Sequence, residues 1–289
     1  MNPTSSTSGS RTRPVAPIRW LAALGAAVIY PAGSTLAMLG GGTWLLGRSV
    51  RGILGGLFVP GETLRKAALL TQMVRVGVRA IPIVILVQAT IGMILPLQMF
   101  PELDRFGQAD QIATINTIAA FRELGPLMTA VVLSGFAGAS IAAELGTMVT
   151  AEEIEALHAM ALNPVRFLVV PRLLATILMT IMLTVIADMV MIVGGWLTAL
   201  RLGLDSDMYF LLTREAVTMT AFLTGLIKAA VFGLLVGLIA CHLGLAVKPW
   251  QGSDGVGRAT TCTVVYSIVA IIVADAVFTI IFYTWGLFT

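Results

Sequence analysis

Residues 122–172 read RELGPLMTAVVLSGFAGASIAAELGTMVTAEEIEALHAMALNPVRFLVVPR. Two apolar stretches with helical spacing flank a short acidic segment, and Pro164 stops that segment before the second stretch opens at Phe167. Thr150 is placed to cap a helix. Glu153, three residues on, is placed to return a bond to the cap's backbone N–H, completing a capping box. Ile154, Leu157 and Ala161 follow at i, i+3 and i+7 and share one face. Glu152, Glu153 and Glu155 flank that face and suit the positive end of a helix dipole. The spacing predicts a stub helix of about three turns between two membrane spans. It is too short to cross a bilayer and too charged to lie within one. Taken by itself, such a stub is an ordinary loop helix.

The chain around it is strongly apolar. Of its 289 residues 57% are apolar and 11% charged, whereas a soluble domain averages about 25% charged. Mean hydropathy is +0.94. Several runs approach or exceed the ~20 apolar residues that cross a bilayer as a helix. No alternating strands of the β-barrel kind occur. The fold class is therefore an all-α polytopic membrane protein. Cys241 and Cys262 flank a loop expected inside the cell and read as reduced, structural thiols, because two cysteines give neither a metal pattern nor a disulfide framework.

Charge placement orients the spans. Up to Arg79 there are nine Lys/Arg and one acid, Glu62, while residues 100–113 hold Glu102, Asp104 and Asp110 against Arg105. Excess Lys/Arg marks the cytoplasmic side. The N-terminus is thus expected inside, loop 100–113 outside and, with five spans, the C-terminus outside. The basic residues sit beside membrane spans, so nucleic acid is not an expected partner.

Residues 1–17, rich in Ser, Thr and Pro, are expected to be a disordered tail without a signal peptide. Residues 18–61 hold an apolar run, 18–47, broken by Pro31 and by Gly40-Gly41-Gly42, which could by itself be a span. Residues 62–289 form the remaining unit. An amphipathic stretch from Glu62 to Arg79 leads into spans at about 80–99, 114–148, 167–200, 221–246 and 259–286, with an outside loop at 201–220 and an inside loop at 247–258. Pro82 and Pro96 fall in the first span, where proline bends a helix. Gly138 and Ala142, and Gly233 and Gly237, have the spacing that lets membrane helices approach closely.

No G-x-x-x-x-G-K-[ST] run cradles a nucleotide, and HExxH, G-x-S-x-G and Cys/His clusters are missing, so neither a catalytic residue nor a metal ligand is assigned. His158 and His242 stand alone. The informative residues are charges inside spans, each costing roughly 2.5–3.5 kcal/mol at a helix centre in lipid. Asp188, Lys228 and Asp275 suit structural ion pairs, Asp188 or Asp275 with Lys228. Arg122 and Glu123 are adjacent, about 100° apart on a helix, and cannot readily satisfy only each other. Pro126 loosens the helix just after them. Leu95, Met99 and Leu103 share a face if the helix passes Pro101 only as a broken turn, with Phe106 just beyond.

RELGP, AELGTM, TAEEIEALHAM with its following NP, VVPR and, later, GVGRATTCTVV at 255–265 resemble, in order, the motifs of the MlaE/YrbE family, the permease subunits of bacterial ABC-type lipid transporters. The resemblance covers Leu69 to the C-terminus. It implies a multi-pass protein of the bacterial cytoplasmic membrane that carries phospholipid, fatty acid or sterol. Its partners would be a second permease subunit, an ABC ATPase that binds the ATP and Mg, MCE-domain proteins outside, and membrane lipid. This chain would bind no cofactor itself and would not be an enzyme. An interfacial helix is implied in 18–61. The stub becomes a cytoplasmic coupling helix, with Glu152, Glu153, Ile154, Glu155, Leu157, His158 and Met160 meeting the ATPase. Leu95, Met99, Leu103, Phe106, Arg122, Glu123 and Leu124 would border a lipid cavity at the permease dimer interface. Many family members carry Arg where this chain has Phe136. That departure suits a heterodimer with a paralogue, as in actinobacterial Mce systems. A membrane scaffold that anchors MCE proteins without transporting is the alternative.

Overall fold

The structure, a computed structural model, describes residue 47 and residues 66–286. The tail 1–17 lies outside the described residues, as does 18–61 apart from Gly47. The described residues are almost all helical and include no strand. Five stretches are long and apolar enough to cross a membrane: Ala67–Arg105, Ala109–Thr150, Val165–Arg201, Met219–Leu245 and Pro249–Thr284. The chain is an all-α, multi-pass membrane protein.

The first span joins α1 (Lys66–Val76), a tight turn at Val78–Ala80 and α2 (Ile81–Arg105). Pro82 opens α2, where its missing N–H is harmless. Pro96 and Pro101 lie inside it, and the helix runs through both to Arg105. The broken turn expected at Pro101 does not form, which fits the tolerance of spanning helices for proline.

The second span is a relay of α3 (Ile112–Ala119), α4 (Gly125–Leu133) and α5 (Ala139–Thr150). Wide π turns at Ala120–Leu124 and Ser134–Gly138 join them. The first has a local cause. Pro126 offers no N–H to the carbonyls one turn back, so the ladder skips a residue.

The stub is α6 (Glu153–Ala159), seven residues or about two turns rather than three. The capping box is absent. Thr150 ends α5 and its hydroxyl donates back to the Thr147 carbonyl at 3.0 Å. The helix starts instead from Glu152, in the left-handed region at φ 59° with no side-chain cap. Ala161, at φ 58°, lies beyond the helix and leaves the face shared by Ile154 and Leu157.

The third span adds a π turn, Val165–Val169, to α7 (Val170–Arg201) and is packed against both the first and the fourth. Thr176, Thr180 and Thr184 each donate to the carbonyl four residues back, which lets hydroxyls sit buried in an apolar bundle. Gly233 and Gly237, on α9 (Met219–Leu245), press on Thr176, Thr180 and Leu173, so the glycine pair is a packing contact.

Between third and fourth spans the expected loop 201–220 contains a helix, α8 (Ser206–Ala216), capped by Asp205 accepting from the Met208 N–H. Tyr209 fastens it: Asn116 Nδ2 donates to Tyr209 Oη at 3.2 Å, and the hydroxyl donates to the Ile192 carbonyl at 3.2 Å. Burial pushes the Tyr209 phenol above its ordinary pKa. The fifth span's helix, α10 (Gly252–Thr284), starts earlier than expected and absorbs most of the loop placed at 247–258. α6 and α8 lie at opposite ends of the bundle, the stub end and the far end.

Candidate functional site

Three spans converge on Lys228. It projects from α9 nine residues after that helix begins, or ~14 Å from the far end. Its Nζ donates to Glu123 Oε2 at 2.6 Å, Asp275 Oδ1 at 2.9 Å and Thr279 Oγ1 at 3.0 Å. All three ammonium hydrogens are used. Thr279 donates in turn to Glu123 Oε1 at 3.1 Å. The lysine side chain is 0% exposed, the Glu123 side chain 33% and the Asp275 side chain 17%. A buried cation thus holds two carboxyl groups that reach the bundle surface. Glu123 gets there on the Ala120–Leu124 turn, seated by Gly225, where a Cβ would collide with the Phe121 carbonyl.

A second network lies toward the stub end. Glu144, on α5, meets Arg75 at 2.7 Å and Arg172 at 3.0 Å. Arg172 is buried at the start of α7 and also donates to the Leu168 carbonyl at 2.8 Å. Beside it a cavity of about 460 Å³ is lined by Arg75, Ser140, Glu144, Thr147, Met148 and Glu153, the last from the stub helix.

These spans and motifs have relatives. A family model described as Permease MlaE matches residues 69–281. The chain belongs to the MlaE permease family. A probable ABC transporter permease protein of Rickettsia typhi is 34% identical over 212 residues, 73% of this chain and 81% of that protein. A Haemophilus influenzae protein, the intermembrane phospholipid transport system permease protein MlaE, is 31% identical over 244 residues, 83% of this chain and 93% of that protein.

In this MlaE-family chain the expected site residues fall into separate groups. Arg122, Glu123 and Leu124 sit together on the wide turn, beside Gln88 of the first span, whose Nε2 donates to the Leu124 carbonyl at 3.4 Å. Leu95, Met99 and Leu103 do share a half-buried face of α2. They are not level with the turn: at 1.5 Å per residue they lie about 10 to 22 Å further along the helix than Gln88. Phe106 is exposed past its end. Of the stub residues, Glu152, Glu153, Glu155, His158 and Met160 are exposed. Leu157 is buried in the chain's own core and Ile154 packs against it, so both hold the stub down instead of presenting a face.

The pairing of Lys228 with Asp275 is as expected, but Asp188 is not its partner. Glu123 takes that place, since the π turn swings it across to α9. Helical spacing does not mark Gln88, Thr279 or the Arg75–Glu144–Arg172 network. Glu144 and Arg172 lie in the AELGTM and VVPR motifs. Ionisable side chains at the ends of apolar runs are the signal that marks them.

Proposed function

We propose that this chain is the membrane permease subunit of an ATP-driven lipid transporter, carrying phospholipid or a lipid of similar acyl character. The observation that carries the reading is the Lys228 cluster: a wholly buried lysine with two carboxylates that reach the surface of a bundle of apolar spans. A purely structural ion pair gains nothing by leaving its carboxylates partly exposed. A carrier of amphiphiles can use an apolar wall for acyl chains and charge for a head group or gate. Two permease subunits would enclose the path, with Leu95, Met99, Leu103 and Phe106 as its apolar outer stretch and Arg122, Glu123 and Leu124 deeper in. Phe136 is exposed on the second span and favours a paralogue as the second subunit. The exposed stub residues Glu152, Glu153, Glu155, His158 and Met160 would dock the ABC ATPase, which binds ATP and Mg. MCE-domain proteins would meet the far end. The N-terminus then faces the cytoplasm and the C-terminus the outside of the inner membrane, so a cysteine at Asp104 should react with an impermeant thiol reagent in intact cells and one at Ser253 should not.

The test is the purified complex in nanodiscs. Added phospholipid should stimulate its ATPase, and Glu123→Ala should remove most of that stimulation while the complex still assembles, because Lys228 keeps Asp275. An ATPase rate indifferent to lipid would replace the transporter with a scaffold that only anchors MCE proteins.

A further inference from the structure

The turn that carries Glu123 is flanked from behind by two side chains that the lysine cluster does not use. Gln88 of the first span donates Nε2 toward the Leu124 and Gly125 carbonyls, 3.4 Å from each. Asp188 comes from the third span. It is 2% exposed, and its Oδ1 accepts no hydrogen bond. It stands so close to Gly125 that a Cβ there would fall on that oxygen. The Ala120 carbonyl oxygen lies 2.7 Å from the same point. That carbonyl receives the Gly125 N–H, the bond that closes the wide turn, and keeps a second lone pair. Both oxygens face that one dry point, which leaves a place for a hydrogen between them. A carboxylic acid supplies one and a carboxylate does not. A bare carboxylate there would also bear its full desolvation cost.

We propose that Asp188 is a positioning residue: as a neutral carboxylic acid it donates to the Ala120 carbonyl and, with Gln88, fixes the turn that aims Glu123 at Lys228. Glycine at 125 is what admits it. The two braces reach the turn from the first and third spans, while the cluster it serves is completed by the fourth and fifth. Its bearing on transport rests on the reading of this turn as part of the lipid path.

Asp188→Ala removes the donor, and Asp188→Asn keeps one of nearly the same shape. Hydrogen exchange followed by mass spectrometry on the assembled complex reads the turn directly, and lipid-stimulated ATPase reads the path. Asp188→Ala should speed exchange of residues 120–129 by about tenfold, the loss of one clamping hydrogen bond. Residues 139–150 should not change, lipid stimulation should fall, and Asp188→Asn should restore both readouts. Unchanged exchange in Asp188→Ala, or an Asn variant as loose as the Ala variant, overturns the proposal. Faster exchange that Asn corrects, with stimulation equal in all three proteins, upholds the positioning role and removes the turn from the lipid path. Should Asp188→Ala fail to assemble, Gln88→Leu loosens the other brace. Normal exchange at 120–129 in that variant overturns the paired clamp.

Discussion

The two charge clusters are built with opposite signs. Around Lys228 one cation serves two anions; around Glu144 one anion serves two cations. Their burial differs as well. Lys228, the shared member of the first, is wholly enclosed. Glu144, the shared member of the second, is 25% exposed and stands between Arg172 at 5% and Arg75 at 43%. Both legs of the first cluster thus end on a cation shut off from water, whereas the second has a tight leg and a loose one. They also tie different spans: the Lys228 cluster joins the second, fourth and fifth, and the Glu144 network joins the first, second and third. Only the second span belongs to both. It carries two wide turns between its ends, and the stub helix follows directly from it. The stub and Glu123 are thus carried by one span, Glu123 lying about 32 Å beyond Glu144 at helical rise.

The comparison makes Lys228 the most costly residue to change. Lys228→Met leaves two carboxylates facing each other with no cation, at about 3–5 kcal/mol. Little assembled complex should be recovered, with a sharply lowered Tm in what remains. The triple variant Lys228→Met, Glu123→Gln, Asp275→Asn removes every charge and should recover assembly without transport. If the single variant purifies and melts like the native protein, the enclosed cluster is not holding three spans together.

The tight leg of the other network comes next. Arg172→Met removes one partner of Glu144 and the donor to the Leu168 carbonyl, but Glu144 keeps Arg75 and some water. A loss of about 1–3 kcal/mol is expected, visible as a lower Tm of the complex. A loss equal to that of Lys228→Met would erase the distinction between a closed cluster and a graded one.

Much of this contrast was hidden in the sequence, for specific reasons. The spans were legible because apolar runs of this length have few alternatives. Lys228 was legible as half of an ion pair with Asp188 or Asp275, because all three are ionisable and lie inside spans, but spacing does not choose between the two acids. Glu123 was not assigned to Lys228, because an ideal helix would not bring it there; the extra residue of the π turn forced by Pro126 does. The capping box failed because Thr150 is still inside α5, and a motif cannot say where the preceding helix stops. Leu157 read as an outward face because amphipathicity gives the apolar side of a helix without saying whether it meets a partner or the chain's own core. The first-span residues Leu95 to Leu103 shared a face as expected. Their depth relative to Arg122 was fixed only by Gln88 touching the turn, a contact that no spacing rule contains.

The loose leg gives the smallest effect and the sharpest test. Arg75 is nearly half exposed, lies on a short helix at the start of the first span and meets Glu144 beside a cavity that Glu153 of the stub helix also lines. Exposed pairs of this kind are worth about 0–1 kcal/mol, and salt screens them. Arg75→Ala should therefore leave assembly intact and move Tm slightly at low salt and not at all at high salt. Its consequence should appear elsewhere. The pair joins the first span to the second at the level where the stub helix begins, so losing it lets the stub move without carrying the first span along. The expected result is a native melting curve with weaker stimulation of the ATPase by phospholipid, recovered in Arg75→Lys, which keeps the charge. Equal stimulation in all three proteins would make the loose leg a surface ion pair and no more. A Tm loss as large as that of Arg172→Met would mean that Arg75 is enclosed in the assembled transporter, by a neighbouring subunit or by lipid, and that the gradation seen in the single chain disappears in the complex.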